Sequence, residues 1–197
     1  MRSRYMVLDF EFTTYGDKAY GKPRAFFHEI IEIGAVLLDV TSSSIEPVYQ
    51  SFIRPIFYPK LTNECSRLTQ INQQDVDHGV ELAEALQKME QAYVPGKTYW
   101  VGYGDADHDV LAQVCIKYKI PNPFPSEDYI DLASQFKLFY AKERRLSLKN
   151  AVREVGLELD GIEHTAMDDA KNAAQLLLKM IQDGWIPNTD YDNRSNI

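Results

Sequence analysis

The order of strand-like and helix-like segments is the feature of this sequence that most limits its fold. Three strand-like runs come first, and two more alternate with helix-like periodicity further along the chain. The predicted strands are Tyr5–Phe12, Glu29–Val40, Glu46–Ile53, Thr98–Tyr103 and Tyr129–Leu132. The predicted helices are Glu81–Tyr93, Asp107–Tyr118, Ala133–Ala141, Ser147–Val155 and a last helix from about Asp168 to Gln182. This order predicts an α/β fold, a mixed five-stranded sheet with helices on both faces.

Composition limits the classes of function. The 197 residues carry 21 Lys and Arg against 29 Asp and Glu, which gives a net charge of −8. Coating nucleic acid by bulk positive charge needs many cationic side chains to displace counterions, so this composition argues against such a protein. An enzyme that reaches nucleic acid through bound metal ions stays open, because such ions are the largest local charges in a site.

The sequence shows no internal repeat and no linker, so we predict one domain at residues 1–184 and a polar tail at 185–197. No apolar run is long enough to span a membrane, and the first is too short for a signal peptide. Cys65 and Cys115 are too few for a disulfide framework and are interpreted as buried thiols. These features predict a cytoplasmic protein with no membrane partner.

An acidic pair interrupts the first predicted strand. Asp9 and Glu11 are two residues apart, so both side chains leave the same face of the strand, opposite to Leu8, Phe10 and Phe12. Carboxylates in such a strand are costly if they are buried without a partner. The pair therefore indicates either an edge strand with a solvated face or a divalent cation held by hard oxygen ligands.

A second acid lies on the apolar face of a predicted helix. Asp107 precedes Val110 by three residues and Leu111 by four, which places it on their face. Asp105 is better placed as the N-cap of this helix, with its carboxylate on a backbone N–H. Asp109 points away from the apolar stripe and is interpreted as solvated. Only Asp107 of these three acids is expected to face inward.

A third acid begins the last helix. Asp169 precedes Ala173 by four residues and shares the buried stripe, whereas Asp168 is rotated by about 100° and is expected to be solvated or to cap the helix. His164 precedes Asp169 by five residues, which is not a spacing that shares a helix face. Both side chains reach one site only if His164 lies on the loop or first turn before the helix. A lone histidine in such a place is otherwise structural.

The inward acids from the first strand and from two distant helices repel one another when ionised at close range. Two divalent ions relieve that repulsion and form the clamp used for displacement at phosphorus. A histidine on a nearby loop can then take the proton of an attacking water.

These motifs, in this order, resemble the DEDDh 3′→5′ exonucleases of the ribonuclease-H-like superfamily. The resemblance covers nearly the whole chain and is closest to the KapD-like branch, related to histone-mRNA and small-RNA 3′-exonucleases. The residues that carry it are Asp9–Thr13, Phe27–Ala35, Cys65–Ile71, Gln74–Asp77, Gly104–Asp107 and the pair His164 and Asp169. Two departures stand out: Gln70 replaces a glycine that is frequent in the family, and Gly161–Glu163 lacks an arginine often found before the histidine.

The resemblance implies a ribonuclease-H-like fold and a role for each acid. Asp9, Glu11 and Asp169 would hold one Mg²⁺ or Mn²⁺ ion, and Asp9 would bridge to a second ion that Asp107 binds directly or through water. His164 would be the general base. The implied substrate is the 3′ end of single-stranded RNA or DNA, with RNA favoured by analogy, and the product is a nucleoside 5′-monophosphate.

The substrate contacts are expected to be few and local. Candidate phosphate ligands are Lys18, Lys22 and Arg24 after the first strand, and Lys142, Arg144, Arg145 and Lys149 further on. Such charges also occur on simply solvated surfaces. Phe12, Thr13 and Tyr15 follow the acidic pair, and the two aromatic rings could stack on terminal bases, although Phe12 fits the core equally well.

Two other functions compete with this interpretation. The run Tyr5–Thr14 also approximates the opening of haloacid-dehalogenase-like phosphatases, in which Asp9 would be a nucleophile that forms an aspartyl-phosphate. Glu11 stands where that family uses Asp, and His164 and Asp169 would then have no role. The other alternative is a catalytically silent regulatory module on the exonuclease fold, which the complete ligand set disfavours.

Overall fold

A computed structural model describes residues 2–15 and 22–187. The five strands are β1 Arg4–Phe12, β2 Ile30–Asp39, β3 Ser44–Phe52, β4 Thr98–Gly102 and β5 Tyr129–Asp131. The helices are α1 Asn63–Thr69, α2 Gln73–Asp77, α3 Leu82–Glu90, α4 Ala106–Tyr118, α5 Leu132–Phe139, α6 Leu148–Glu154 and α7 Ala166–Gln182. Among the described residues, none of the helices has the length and apolar character needed to cross a bilayer.

The strands form one mixed sheet in the order β3-β2-β1-β4-β5. β1 pairs antiparallel with β2, and β2 with β3, whereas β4 lies parallel to both β1 and β5. The predicted mixed five-stranded sheet is therefore confirmed. Both sheet edges are irregular or short, because β3 contains Pro47 beside a register shift and β5 has 3 residues.

The alternation of side chains along β1 divides the core between the two faces of the sheet. Met6, Leu8 and Phe10 are buried against α3 and α4, and Tyr5 and Val7 are buried against α5, α6 and α7. Helices therefore cover both faces, as predicted. The second series of side chains continues with Asp9 and Glu11, so the same alternation that builds the core directs these acids toward α7.

The long helix α7 crosses β2 closely where Gly34 lies in the strand. A Cβ atom added at Gly34 would lie 2.2 Å from the backbone carbon and oxygen of Ala166. Only glycine permits this approach, which brings the first turn of α7 directly onto the sheet. Ala170, Ala173 and Ala174 continue the close contact along the buried stripe of the helix.

Two short helices lie where the sequence analysis assigned none. α1 begins after Thr62, whose side chain accepts a hydrogen bond from the Cys65 N–H, and α2 begins at a capping box formed by Asn72 and Asp75. The capping residues were the available sequence signal. Seven and five residues are too few for helical periodicity to be recognised.

The packed unit extends past the boundary predicted at residue 184. Trp185, predicted to begin the polar tail, is buried, and its Nε1 donates to Gln135 Oε1 at 3.3 Å. Burial of the indole removes a large apolar surface from water, so Trp185 belongs with the core. The rest of the predicted tail from residue 188, and Lys18 in the loop after β1, lie outside the described residues.

Candidate metal centre

The acidic pair of β1 lies beside a third acid on the neighbouring strand. Glu11 pairs in register with Glu32 of β2, so their side chains share the face of the sheet that α7 covers. Glu11 is 9% exposed and Glu32 is 1% exposed. The alternative of a solvated edge strand is wrong, because β1 lies at the centre of the sheet.

Asp107 reaches the same end of β1 from the start of α4. The parallel pairing of β1 with β4 ends at Val7 and Val101, so Phe10 lies beyond the part of β1 that β4 covers, and its N–H donates to Asp107 Oδ1 at 3.3 Å. Gly102, at the end of β4, leaves room for this carboxylate, since a Cβ there would lie 3.3 Å from Asp107 Oδ2. Asp107 is buried, as predicted.

The other two acids at the start of α4 have different roles from Asp107. Asp109 is exposed, as predicted. Asp105 is the N-cap residue, but its side chain makes no capping hydrogen bond. Its Oδ2 instead accepts from Arg145 Nη1 at 3.1 Å. The predicted capping role of the Asp105 carboxylate is therefore wrong, because a guanidinium competes for it more strongly than a neutral N–H.

His164 lies on the segment before α7, where it had to lie if it were to share a site with Asp169. Its backbone is left-handed, with φ of 64°, and its N–H donates to Asp169 Oδ2 at 3.0 Å. Ligand atoms of Glu11, His164 and Asp169 all lie within 4.8 Å of one another. Residues separated by more than 150 positions in the sequence thus meet at the end of β1.

Burial and mutual repulsion make these carboxyl groups hard to ionise in the absence of cations. Burial raises the pKa of Asp9 well above its ordinary value, and the charges of Asp107, Asp169 and Glu11 raise it further. Burial and then Asp169 raise the pKa of Glu11 from 4.5 to about 8. Burial raises the pKa of Asp107 from 3.8 to about 7, although the Phe10 N–H opposes this change.

The donor set fits divalent cations. Within residues 2–15 and 22–187, no Lys or Arg forms an ion pair with Asp9, Glu11, Asp107 or Asp169. Carboxylates that are shielded from water are costly to ionise unless cations or several hydrogen-bond donors compensate their charge. Hard oxygen ligands of this kind suit Mg²⁺ and Mn²⁺.

Glu32 is the buried acid of this site that the sequence analysis missed. Its Oε2 accepts from the Ala166 N–H at 3.3 Å, and its Oε1 accepts from Gln50 Nε2 at 3.3 Å. Burial raises the pKa of Glu32. An acid within the apolar run of β2 was the same kind of signal that identified Asp9 and Glu11.

The predicted substrate residues are distributed over three environments. Thr13 is buried and exchanges hydrogen bonds with Glu29, since its N–H donates to Glu29 O at 2.8 Å and its Oγ1 accepts from Glu29 N at 2.9 Å. The Tyr15 ring meets Phe26 edge-on with centroids 4.9 Å apart. Phe12 is partly buried against the core.

The basic candidates divide in the same way. Lys22 lies with its Nζ 5.6 Å from the centre of the Phe26 ring, and Arg24 is exposed nearby. The guanidinium of Arg145, assigned to substrate phosphate by the sequence analysis, is instead occupied by Asp105 and Asp131, with 2.7 Å from Nη2 to Asp131 Oδ2. The sequence pattern could not reveal these two partners, which lie 40 and 14 residues away.

The sheet topology and the converging acids and histidine define the class of protein. The exonuclease family model RNase_T matches residues 6–177, and the chain belongs to this family. The probable 3′-5′ exonuclease KapD of Bacillus subtilis is 33% identical over 178 residues, which cover 90% of this chain and 84% of that protein. ERI1 exoribonuclease 2 of Xenopus laevis is 33% identical over 206 residues. The match covers 92% of this chain and 29% of the frog protein's length.

Solved structures give the same result. The nuclease domain of 3′hExo, a DEDDh family member bound to rAMP, superposes with a TM-score of 0.82 at 28% identity, over 93% of this chain and 94% of that one. A 3′-exonuclease structure on 3′-end specific recognition of the histone mRNA stem-loop gives 0.81 at 27% identity, over 93% and 83% of the two chains. The predicted resemblance and the ribonuclease-H-like fold are confirmed, and the phosphatase alternative is not favoured.

Proposed function

We propose that this chain is a metal-dependent 3′→5′ exonuclease that releases nucleoside 5′-monophosphates from single-stranded 3′ ends. The observation that carries the proposal is the meeting of ligand atoms of Glu11, His164 and Asp169 within 4.8 Å, together with the partly buried Asp9 on β1 and the buried Asp107 on α4. Four acids from β1, α4 and α7, with His164 on the segment before α7, make up the complete set that the family resemblance implies.

The carboxylates would hold two Mg²⁺ or Mn²⁺ ions. We assign one ion to Asp9, Glu11 and Asp169, and the second to Asp9 and Asp107. When bound, the ions supply charge neutralisation at the attacking and leaving oxygens of the phosphodiester. The sheet and α7 keep bulk water from part of this site, and charges attract one another more strongly where less water surrounds them.

His164 is the proposed general base. His164 is exposed, so water and substrate can reach its ring, and a ring nitrogen lies within 4.8 Å of a carboxylate oxygen of Asp169. Asp169 also fixes the backbone of His164 through the 3.0 Å hydrogen bond to its N–H. One side chain thereby connects the base to the metal ligands.

The substrate strand is proposed to leave the centre along the aromatic residues that follow β1. Tyr15 contacts Phe26 and Tyr58 with ring centroids 4.9 and 6.2 Å away. Stacking on such rings tolerates any base. We assign phosphate contacts to Lys22 and Arg24, whereas Phe12 and Thr13 support the surface from below.

A buried carboxylate orients part of this surface. Glu29 accepts hydrogen bonds from three consecutive backbone N–H groups, those of Ile56, Phe57 and Tyr58, at 2.7, 2.9 and 2.6 Å, and a further one from the Tyr118 hydroxyl. Because Glu29 also pairs with Thr13, it connects the end of β1 to the segment that carries Tyr58. The surface is therefore built on the same strand end as the metal ligands.

RNA is the proposed preferred substrate. The name of the frog relative describes an exoribonuclease, and the 3′hExo structure is described with rAMP bound. Cys65 and Cys115 are buried free thiols, which supports a reducing, cytoplasmic setting. We propose that the domain spans residues 1–185.

The test is incubation of the purified protein with end-labelled single-stranded RNA and DNA, in Mg²⁺, Mn²⁺ or chelator. We expect stepwise shortening from a free 3′ end with either metal and none with chelator. Asp9→Ala and Asp169→Asn should abolish shortening, whereas His78→Ala, which changes an exposed histidine directly after α2, should not. Release of inorganic phosphate from a small ester with intact oligonucleotides would instead support the phosphatase alternative.

A silent module is tested in the same series. Wild-type protein that binds Mn²⁺ but leaves every oligonucleotide intact would overturn the enzymatic proposal. Loss of the cellular role in Asp9→Ala and Asp169→Asn would argue against a scaffold, because neither change removes an exposed surface.

A further inference from the structure

The segment that carries His164 is not fixed by the core. Between α6 and α7 the chain exposes Ile162, Glu163 and His164, and it takes a left-handed backbone at Gly161 and His164, with φ of 80° and 64°. A non-glycine residue in this conformation is uncommon and is held there by its surroundings. The surroundings that hold it here are on α7.

Alternate backbone N–H groups of this segment donate to three side chains of α7. The three bonds run from Asp160 N to Asn172 Oδ1 at 2.9 Å, from Ile162 N to Asp168 Oδ2 at 3.0 Å, and from His164 N to Asp169 Oδ2 at 3.0 Å. The backbone of every second residue from 160 to 164 is therefore hydrogen-bonded to a side chain of the helix.

Asn172 holds the N-terminal end of the segment, at Asp160, by hydrogen bonds. It is 2% exposed, and its Nδ2 also donates to Asp160 O and to Asp168 O, both at 2.8 Å. An amide can donate and accept at once, so one side chain holds both the N–H and the carbonyl of Asp160. A carboxylate at this position would face two carbonyl oxygens and would repel them.

Asp168 holds the middle of the segment, at Gly161 and Ile162. The carboxylate lies so close to Gly161 that a Cβ there would be 2.2 Å from Asp168 Cγ. The Thr165 hydroxyl donates to the Ile162 carbonyl and lies 3.4 Å from Asp168 Oδ2. Gly161 thus allows the carboxylate to reach the backbone that it holds.

We propose that Asp168 and Asn172 are positioning residues for His164. The inference rests on the proposed function, in which His164 is the general base. A general base must lie within hydrogen-bond reach of the proton that it removes, and a misplacement of about 1 Å can cost about 100-fold in rate. The exposed ion pair of Glu163 with Lys149, at 2.9 Å, contributes little to this placement because water screens it.

The test is a double-mutant cycle with His164. Asp168→Ala should lower kcat for 3′-end removal by about 10-fold and leave KM and Mn²⁺ affinity within about 2-fold, since only the base is displaced. In the His164→Ala background the same change should cost less than about 2-fold. Equal losses in both backgrounds would overturn the inference, because Asp168 would then act independently of the base.

Two further variants separate positioning from general destabilisation. Asp168→Asn keeps an oxygen for the Ile162 N–H and should retain kcat within about 2-fold of wild type. Leu177→Val removes a methylene from the buried stripe of the same helix and should lower Tm without lowering kcat. If Leu177→Val lowers both Tm and kcat, and lowers kcat as much as Asp168→Ala does, the loss of kcat reflects general destabilisation. That result would contradict a specific role for Asp168.

A measurement without substrate decides the structural part. Amide hydrogen exchange of residues 160–165 should accelerate by about 10-fold or more in Asp168→Ala and Asn172→Ala and stay unchanged in Leu177→Val. Unchanged exchange in the first two variants overturns the inference, whatever the activity. Full activity of His164→Ala would instead refute the assignment of the base, which belongs to the proposed function.

Discussion

Replacing Glu11 with Gln should stabilise the metal-free protein at high pH while removing a ligand of the metal centre. The folded protein raises the pKa of this carboxyl group from 4.5 to about 8, so ionisation is harder in the folded than in the unfolded chain. One pKa unit corresponds to about 1.4 kcal/mol, so the full difference is about 5 kcal/mol. Glutamine keeps the shape and carries no charge.

The sign of the pH dependence of stability follows from the raised pKa of Glu11. Wild-type and variant should be equally stable below pH 4.5, where Glu11 is protonated in both states, and the wild-type protein should lose stability as the pH rises toward about 8. At about pH 8.5 we expect the free energy of unfolding of Glu11→Gln to exceed that of the wild-type protein by at least about 2 kcal/mol. This is less than the full value, because neighbouring acids share protons.

Urea denaturation in chelator, across this pH range, measures the difference. Glu46→Gln on β3 is the matched control, because it removes one exposed negative charge and should change stability little. Added Mn²⁺ should reverse the order, since ligand binding stabilises the wild-type fold more. Equal urea midpoints for wild type, Glu11→Gln and Glu46→Gln at high pH would refute the argument that burial and repulsion destabilise the ionised site.

Three other changes test individual contacts. Gly34→Ala should cost about 3 kcal/mol in urea denaturation, because its Cβ would meet the first turn of α7 at 2.2 Å; a loss below about 1 kcal/mol would contradict that contact. Tyr118→Phe removes a donor to buried Glu29 and should cost about 2 kcal/mol, which an unchanged Tm would disprove. Arg145→Met should cost about 2 kcal/mol by leaving Asp131 unpaired, with KM for an oligonucleotide unchanged; a raised KM would return Arg145 to the substrate surface.

The sheet and the longer helices could be predicted because their periodicity extends over enough residues to be recognised. α7 was predicted from about Asp168 and begins at Ala166, and α4 was predicted from Asp107 and begins at Ala106. α1 and α2 are shorter than two turns, so burial imposes no recognisable repeat on them. Their capping residues carried the only local signal.

The candidate site was predictable where an acid interrupts an apolar pattern and not where a distant partner decides its role. Asp9, Glu11 and Asp107 stand out because local spacing places them inward. Glu32 gave the same signal, but its contact with Ala166 spans 134 residues. The Asp105 carboxylate likewise pairs with Arg145 and does not cap α4. The sequence of that helix gives no sign of a guanidinium 40 residues away.

Pro47 in the outer strand β3 bears on how the molecule behaves when it is concentrated. A proline offers no N–H to a neighbouring strand, and the register shift beside it breaks the regular spacing of the remaining donors. The opposite edge is 3 residues long. Neither border of the sheet can therefore template a continuous ladder with another copy, so the fold carries its own protection against edge-to-edge aggregation.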